Sequence, residues 1–201
     1  MKLHLRFIII MGLFLSPFVG YATHTITPFA NLNFCGSSYP TAYQNTVLFT
    51  LAESVATDFG SSQTNQTMIL TLPAGFEFNT AAGPTVTRLG NRLTIVSAIW
   101  TTTAITVTLT TTANSNTQLN AIYFNNFQIR ATVAGSGILL RTGGTFLVEG
   151  SADIPGDGNP NPAESFGYLY AGPQMVYNSS AVAQYSTANI NRNCVSSTNP
   201  I

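Results

Sequence analysis

Five oxygen-bearing side chains crowd into one short stretch in the last third of the chain. They are Asp153, Asp157, Asn159, Asn161 and Glu164. Carboxylate and amide oxygens are the ligands that Ca²⁺ prefers, and extracellular calcium sites often bind weakly, with Kd values of about 10⁻⁴ to 10⁻³ M. Pro160 and Pro162 stiffen the same stretch, which lacks the glycine position of an EF-hand loop, so a solvated linker explains its composition equally well. The sequence leaves a weak calcium site and a linker as open alternatives, and it indicates no other cofactor.

The chain contains two cysteines, Cys35 and Cys194. In an oxidising compartment a single pair of cysteines predicts one disulfide. Such a bridge would tie the start of the chain to its end, and the chain-entropy model assigns about 4–5 kcal/mol to a loop of this length. Two unrelated thiols are the alternative, which the sequence leaves open.

Residues 1–22 have the layout of a secretory signal peptide. Lys2 and Arg6 give a positive start, residues 7–15 are apolar apart from one glycine, and small residues precede an expected cut after Ala22. The apolar run is about half of the roughly 20 residues that a membrane-spanning helix needs. We therefore expect a secreted or cell-surface protein, with residence in the periplasm as the alternative.

Groups that usually perform catalysis are scarce after this cut. Lys2 is the only lysine, and His24 is the only histidine that remains, at a terminus expected to be mobile. A serine or cysteine nucleophile would have no folded histidine to activate it. The carboxylates of Glu53, Glu77 and Glu149 have no spacing that brings two of them together as a glycosidase pair. The sequence predicts that the protein is not an enzyme.

Composition and charge exclude two classes of partner. Of 201 residues, 45% are hydrophobic and only 7% are charged, which argues against disorder. The chain has 7 basic and 7 acidic residues, and two of the basic ones lie in the signal. The basic surface of a nucleic-acid-binding protein is therefore not expected. No second long apolar run follows the signal, so we expect no membrane span after cleavage.

Short β-type runs recur between turn residues. The predicted strands are 47–55, 67–72, 76–78, 92–100, 105–112, 122–133, 138–141 and 146–149. In 105–112 apolar residues alternate with threonines, so one face is expected in the core and the other in water. Gly90 and Asn91 predict a hairpin turn between the two strands that flank them. The pattern indicates an all-β protein, and an antiparallel β-sandwich fits it better than a closed barrel.

Changes in composition divide the chain into four parts. Residues 1–22 are the signal peptide and 23–150 the β-sandwich domain. Residues 151–173 are rich in Pro, Gly and Asn and are expected to form a linker or a long loop. Residues 174–201 form a tail, or the start of a second β module whose continuation lies beyond Ile201.

Aromatic residues offer one candidate ligand surface. They are Trp100, Tyr123, Phe124, Tyr168 and Tyr170. Together they would line a platform for a sugar ring, although a single tryptophan at a strand end commonly packs in the core or at an edge. A carbohydrate-binding surface and ordinary packing are therefore both open.

The order of motifs between residues 45 and 150 resembles that of a known family. The sequence LTLPAGFEFN at 70–79 is followed by the threonine-alternating run 104–112, by 119–122 and 127–132, and by ILLRTGG at 138–144. This resembles an immunoglobulin-like β-sandwich module of large secreted and cell-surface proteins of Bacteroidota, of the gliding-associated type exported by type IX secretion. The chain departs from the pattern because it contains no C-terminal sorting domain. The family provides no ligand-binding residues to transfer to this chain.

The expected role is a non-catalytic structural or adhesion module, including assembly into surface fibres. A β-protein with so few charges and with uncovered strand edges is prone to associate. Its expected partners are other extracellular protein modules or further copies of itself. The alternative is a carbohydrate-binding module of a secreted multidomain protein, with glycans as partners.

Overall fold

The computed structural model describes residues 24–35, 39–56, 58–60, 62–112, 118–148, 165–172, 175–176 and 195–196. Within these ranges the regular structure is all β, and no helix is long and apolar enough to span a membrane. Fifteen strands occur in the order β1 (His24–Thr27), β2 (Leu32–Cys35), β3 (Gln44–Asn45), β4 (Leu48–Glu53), β5 (Gln66–Thr71), β6 (Phe76–Phe78), β7 (Thr85–Leu89), β8 (Leu93–Trp100), β9 (Ala104–Thr111), β10 (Ala121–Asn125), β11 (Gln128–Ala131), β12 (Gly135–Gly143), β13 (Ser165–Gly172), β14 (Met175–Val176) and β15 (Val195–Ser196).

The strands form a β-sandwich-like arrangement. One sheet has six strands in the order β2-β13-β12-β5-β9-β8. Opposite it lie a four-stranded sheet, β1-β4-β10-β7, and a three-stranded sheet, β3-β11-β6. Almost all pairs are antiparallel, as predicted, but β2 runs parallel to β13, and β14 parallel to β15. The all-β class and the antiparallel sheets predicted from the sequence are confirmed.

The two smaller sheets meet where the backbone is irregular in two neighbouring strands. Val47 and Asn126 both have positive φ, 63° and 58°, and Asn126 N donates to Val47 O at 3.0 Å. These residues separate β3 from β4 and β10 from β11. The single strand predicted over 122–133 is therefore wrong. A positive φ at Asn126 interrupts the extended backbone, and asparagine adopts it more readily than most residues.

Phenylalanine side chains dominate the core between the sheets. Phe49 of β4 stacks on Phe124 of β10, with ring centroids 4.7 Å apart, and it meets Phe166 of β13 edge to face at 6.0 Å. All three side chains are buried. Each such side chain contributes about 1.5–3 kcal/mol through burial. The alternation predicted for 105–112 is confirmed in β9, where Ile105, Val107 and Leu109 are fully buried.

Other sequence-based assignments also change in the structure, and residues 146–148 of the predicted strand 146–149 are not in a strand. Gly90 and Asn91 join β7 to β8, but these strands lie in different sheets, so the predicted hairpin is wrong.

Residues 165–172, which the sequence places in the linker or loop 151–173, instead form β13 between β2 and β12. Phe166 and Leu169 of this strand are buried in the core. Gly167 and Tyr168, which lie between them, hid this alternation from the sequence pattern.

Candidate interaction surface and the polar cluster beneath it

A buried polar cluster holds three separate segments of the chain together. Its members are Glu53 at the end of β4, Arg92 just before β8, and Asn120 just before β10. Arg92 Nη1 donates to Glu53 Oε1 at 3.3 Å, and both side chains are 0% exposed. The backbone N and side-chain Nδ2 of Asn120 donate to Glu53 Oε2 at 2.7 and 2.6 Å. Phe59 N donates to Glu53 Oε1 at 3.0 Å. Both carboxylate oxygens therefore accept several hydrogen bonds.

Arg92 has further partners besides the carboxylate. Its Nη2 donates to Gly60 O at 3.2 Å and its Nε to Thr112 O at 3.3 Å. Its backbone N donates to Asn120 Oδ1 at 3.2 Å. A buried guanidinium is tolerated only when its charge is paired and its donors are used. The cluster meets this condition.

The cluster explains why β7 and β8 form no hairpin. Gly90 has a φ of 91° and passes so close to Asn120 that a Cβ at this position would overlap its Oδ1. Two residues later the side chain of Arg92 enters the core rather than solvent. The chain thereby crosses from one layer to the other and begins β8 at the edge of the six-stranded sheet.

β8 is an edge strand with little protection. Among the described strands it pairs only with β9. Its sequence, LTIVSAIW, contains no charged residue and no proline, and Val96 and Ile99 are 53% and 63% exposed. Proteins usually shield such edges with charges, prolines or bulges. β8 has only the last of these, a shift in register between Ile95 and Ser97.

The outer face of the sheet next to this edge is neutral and rich in hydroxyl groups. Across the β8–β9 register, Thr94, Ser97 and Ile99 pair with Thr110, Thr108 and Thr106. Thr67 and Ile69 of β5 continue two of these rows. We call these eight residues the threonine face. β5, β8 and β9 contain no charged residue, so a partner here would meet hydroxyl and methyl groups.

A charged surface patch occurs on the opposite layer. Glu77 of β6 forms an ion pair with Arg130 of β11, and their side chains are 22% and 31% exposed. The Arg130 guanidinium also lies 4.7 Å from the centroid of the Tyr43 ring. Tyr43 Oη donates to Glu77 Oε1 at 3.4 Å.

The carboxylates considered for catalysis have separate roles. Glu53 is buried in the polar cluster, and Glu77 is paired with Arg130. Glu149 lies outside the described residues. His24 is not in a loose terminus but begins β1, where it pairs in register with Glu53 of β4.

The metal and disulfide predictions fall mainly outside the described ranges. Asp153, Asp157, Asn159, Asn161 and Glu164 all lie there, and the described part of the chain contains no group of three or more potential metal-ligating side chains.

Cys35 ends β2, and Cys194 lies outside the described residues. Cys35 pairs in register with Gly172 of β13. Met175, three residues further along, pairs with Val195, the residue after Cys194. The disulfide remains a prediction.

The aromatic platform is not assembled as the sequence suggested. Phe124 is fully buried, and Trp100 packs edge to face on Phe127, with centroids 5.9 Å apart. Tyr123 belongs to β10 in one layer, while Tyr168 and Tyr170 belong to β13 in the other. Three strands, β12, β5 and β9, separate β13 from Trp100 on β8.

The cluster of Glu53, Arg92 and Asn120 is not predicted by the sequence pattern. The one signal for it in the sequence is that Arg92 directly precedes the long apolar strand β8. A solvent-exposed arginine would be equally reasonable at that position, so the signal does not indicate a buried charge. The edge position of β8 had no local signal, because it depends on which strands pair.

No protein-family model, no curated protein and no solved structure matches this chain.

Proposed function

We propose that this chain is a non-catalytic structural or adhesion module of a secreted or cell-surface protein. The observation that carries the proposal is the neutral threonine face, which continues into the unprotected edge β8. Such a surface suits contact with another protein module. It lacks the charges that would orient a charged ligand.

The contacts that the described acidic side chains make within the fold support a structural role. Glu53 and Glu77 are paired with arginines. Asp58 Oδ2 accepts hydrogen bonds from Ser54 N and Val55 N at 2.8 and 2.7 Å, which fixes the turn after β4. The carboxylates of Glu53 and Asp58 therefore already stabilise the fold, and that of Glu77 is paired on the surface.

The finer assignments belong to the same proposal. The two-layered arrangement supports an immunoglobulin-like sandwich, in keeping with the resemblance to modules of Bacteroidota surface proteins. The leader-like residues 1–22 support export, and type IX secretion is the route that the resemblance implies. A Cys35–Cys194 disulfide would brace the tail against β2.

Localisation on intact cells of the native host tests the proposal. Because the chain has no lysine after residue 22, amine-directed labelling is unsuitable, and proteinase K treatment with antibody detection is preferable. We expect digestion without lysis, and weaker attachment of cells to a surface or to each other when the gene is deleted. Protection from the protease together with unchanged attachment would contradict the proposal.

Intact mass under native and reducing conditions examines export and the disulfide together. We expect the N-terminus at Thr23 and a gain of two hydrogens on reduction. A retained leader would contradict export, and an unchanged mass on reduction would contradict the bridge. A glycan array discriminates the alternative role, since specific binding of a neutral glycan would favour a carbohydrate-binding module.

A further inference from the structure

We propose that two copies of this chain associate edge to edge through β8, antiparallel, with a two-fold axis at Ile99. The six-stranded sheets of the two copies would then form one continuous sheet. This inference rests on the proposed structural role and specifies its partner and its surface.

Comparison of the sheet edges singles out β8. The three larger sheets end in β1, β7, β3, β6, β2 and β8, and the fourth described sheet consists of β14 and β15, with two residues each. β8 has eight residues, whereas β7 has five and β1 and β2 have four each. β7 also carries Arg88 and β6 carries Glu77, charges that oppose self-pairing. β8 therefore offers the longest edge, and an uncharged one.

The hairpin geometry shows which backbone groups of β8 point outward. Thr101 N donates to Ala104 O at 2.8 Å at the start of the β8–β9 ladder. In an antiparallel pair every second residue directs its N–H and C=O toward the neighbouring strand. Ile99, in register with Thr106, therefore directs its backbone groups toward β9. Ala98 and Trp100 direct theirs away from the sheet, toward the edge.

These outward groups match those of a second copy. With a two-fold axis through Ile99, Ala98 of one copy lies opposite Trp100 of the other, and each such pair can exchange two hydrogen bonds. The Ile99 side chains of the two copies would then contact each other on the threonine face, and each would become buried. Ser97 lies opposite Thr101, so the paired side chains match in polarity.

The bulge at Val96 limits how many residues can pair, and the charges of the chain do not oppose the pairing. The bulge shifts the side-chain alternation of β8, so regular pairing is confined to residues 97–101. Like charges directly opposite one another destabilise a strand pair, and this segment has none. Without the two basic residues of the signal, the chain has 7 − 2 = 5 basic and 7 acidic residues, a net charge of −2, so long-range repulsion between two copies is weak.

Sedimentation equilibrium of the purified full-length chain over a range of concentrations tests the proposal. We expect a reversible dimer, and we expect Ile99→Lys to weaken it at least about tenfold by placing two ammonium groups opposite each other. Leu147→Lys is the matched control, because Leu147 is 67% exposed and lies outside the proposed interface. A wild-type monomer at all concentrations, or equal effects of the two variants, would overturn the proposal.

Two further variants keep the test independent of folding. Ala98→Pro removes an outward N–H without touching the β9 ladder, so it should abolish the dimer and leave the monomer folded. Mixing Ile99→Lys with Ile99→Glu should restore association, because opposite charges then meet at the axis. Failure of the mixture to associate would exclude contact at Ile99.

The association and the proposed function can fail separately. Protease accessibility on cells reports the surface role, and sedimentation reports the self-pairing. If Ile99→Lys is a monomer that still reaches the surface and supports attachment, the module acts without self-pairing through β8.

Discussion

Two glutamate–arginine pairs of this protein lie in opposite environments. Glu53 and Arg92 are completely buried and share their hydrogen bonds with Asn120 and with backbone groups of three segments. Glu77 and Arg130 lie on the surface, where Tyr43 is their neighbour. The same two residue types therefore join segments of the chain inside the core in the first pair, and form a solvated surface patch in the second.

The difference teaches that the surroundings decide the value of an ion pair. Burial removes water from Glu53 and Arg92, so each charge depends on the other and on the backbone. Water and salt screen Glu77 and Arg130, so either can lose its partner at little cost. Only the buried pair determines the path of the chain, because it holds the crossing from β7 to β8.

Removal of the buried arginine should have the largest effect. Arg92→Ala leaves the Glu53 carboxylate buried without its counter-charge and is expected to lower the free energy of unfolding by about 3–5 kcal/mol. Urea denaturation followed by tryptophan fluorescence measures this loss, since Trp100 packs on the core. A loss below about 1 kcal/mol would mean that water reaches the cluster.

Replacing both charges separates the ion pair from its backbone partners. A Glu53→Leu, Arg92→Met double variant avoids an unpaired buried charge, a change that is neutral in some proteins. Here it leaves Phe59 N and the carbonyl groups of Gly60 and Thr112 without these partners. We therefore expect it to remain less stable than the wild type by at least about 2 kcal/mol. Wild-type stability of the double variant would show that the backbone bonds contribute little.

Loss of the amide in the cluster should have an intermediate effect. Asn120→Ala removes the Nδ2 bond to Glu53 and the Oδ1 acceptor for Arg92 N, so we expect a loss of about 1–3 kcal/mol. Asn125→Ala is a suitable control, because its 3.4 Å hydrogen bond to Thr87 is exposed. Thermal unfolding of the two variants side by side should show a lower midpoint for the first only.

Loss of the surface arginine should have the smallest effect. Arg130→Ala is expected to cost about 0.2–1 kcal/mol, and the cost should shrink further at high salt. Urea denaturation at low and high ionic strength measures both quantities. If Arg130→Ala proves as damaging as Arg92→Ala, the contrast between the two regions does not hold.

The sequence predicted what depends on local alternation. It predicted the all-β class and the buried face of β9, because each follows from the order of apolar and polar residues over a few positions. It placed the strand 76–78 at the bounds of β6. Such features require no knowledge of which strands become neighbours.

Features that depend on distant partners could not be predicted. Gly90 and Asn91 have hairpin chemistry, yet the turn crosses between layers because Arg92 pairs with a carboxylate 39 positions earlier in the chain. β13 was placed in a linker because its role depends on β2, near the other end of the sequence. The edge position of β8, on which the candidate interaction surface depends, follows from the same long-range pairing.

The parallel pairing of β2 with β13 also constrains the order in which the protein can fold. Leu32 pairs with Leu169, so the first strand of the six-stranded sheet has no neighbour until the last strand of that sheet is present. β12 likewise lacks one of its two neighbours until then. Contacts of such long sequence separation make folding slow. A chain that emerges from a ribosome or from a narrow pore could not complete its six-stranded sheet until residue 172 had emerged.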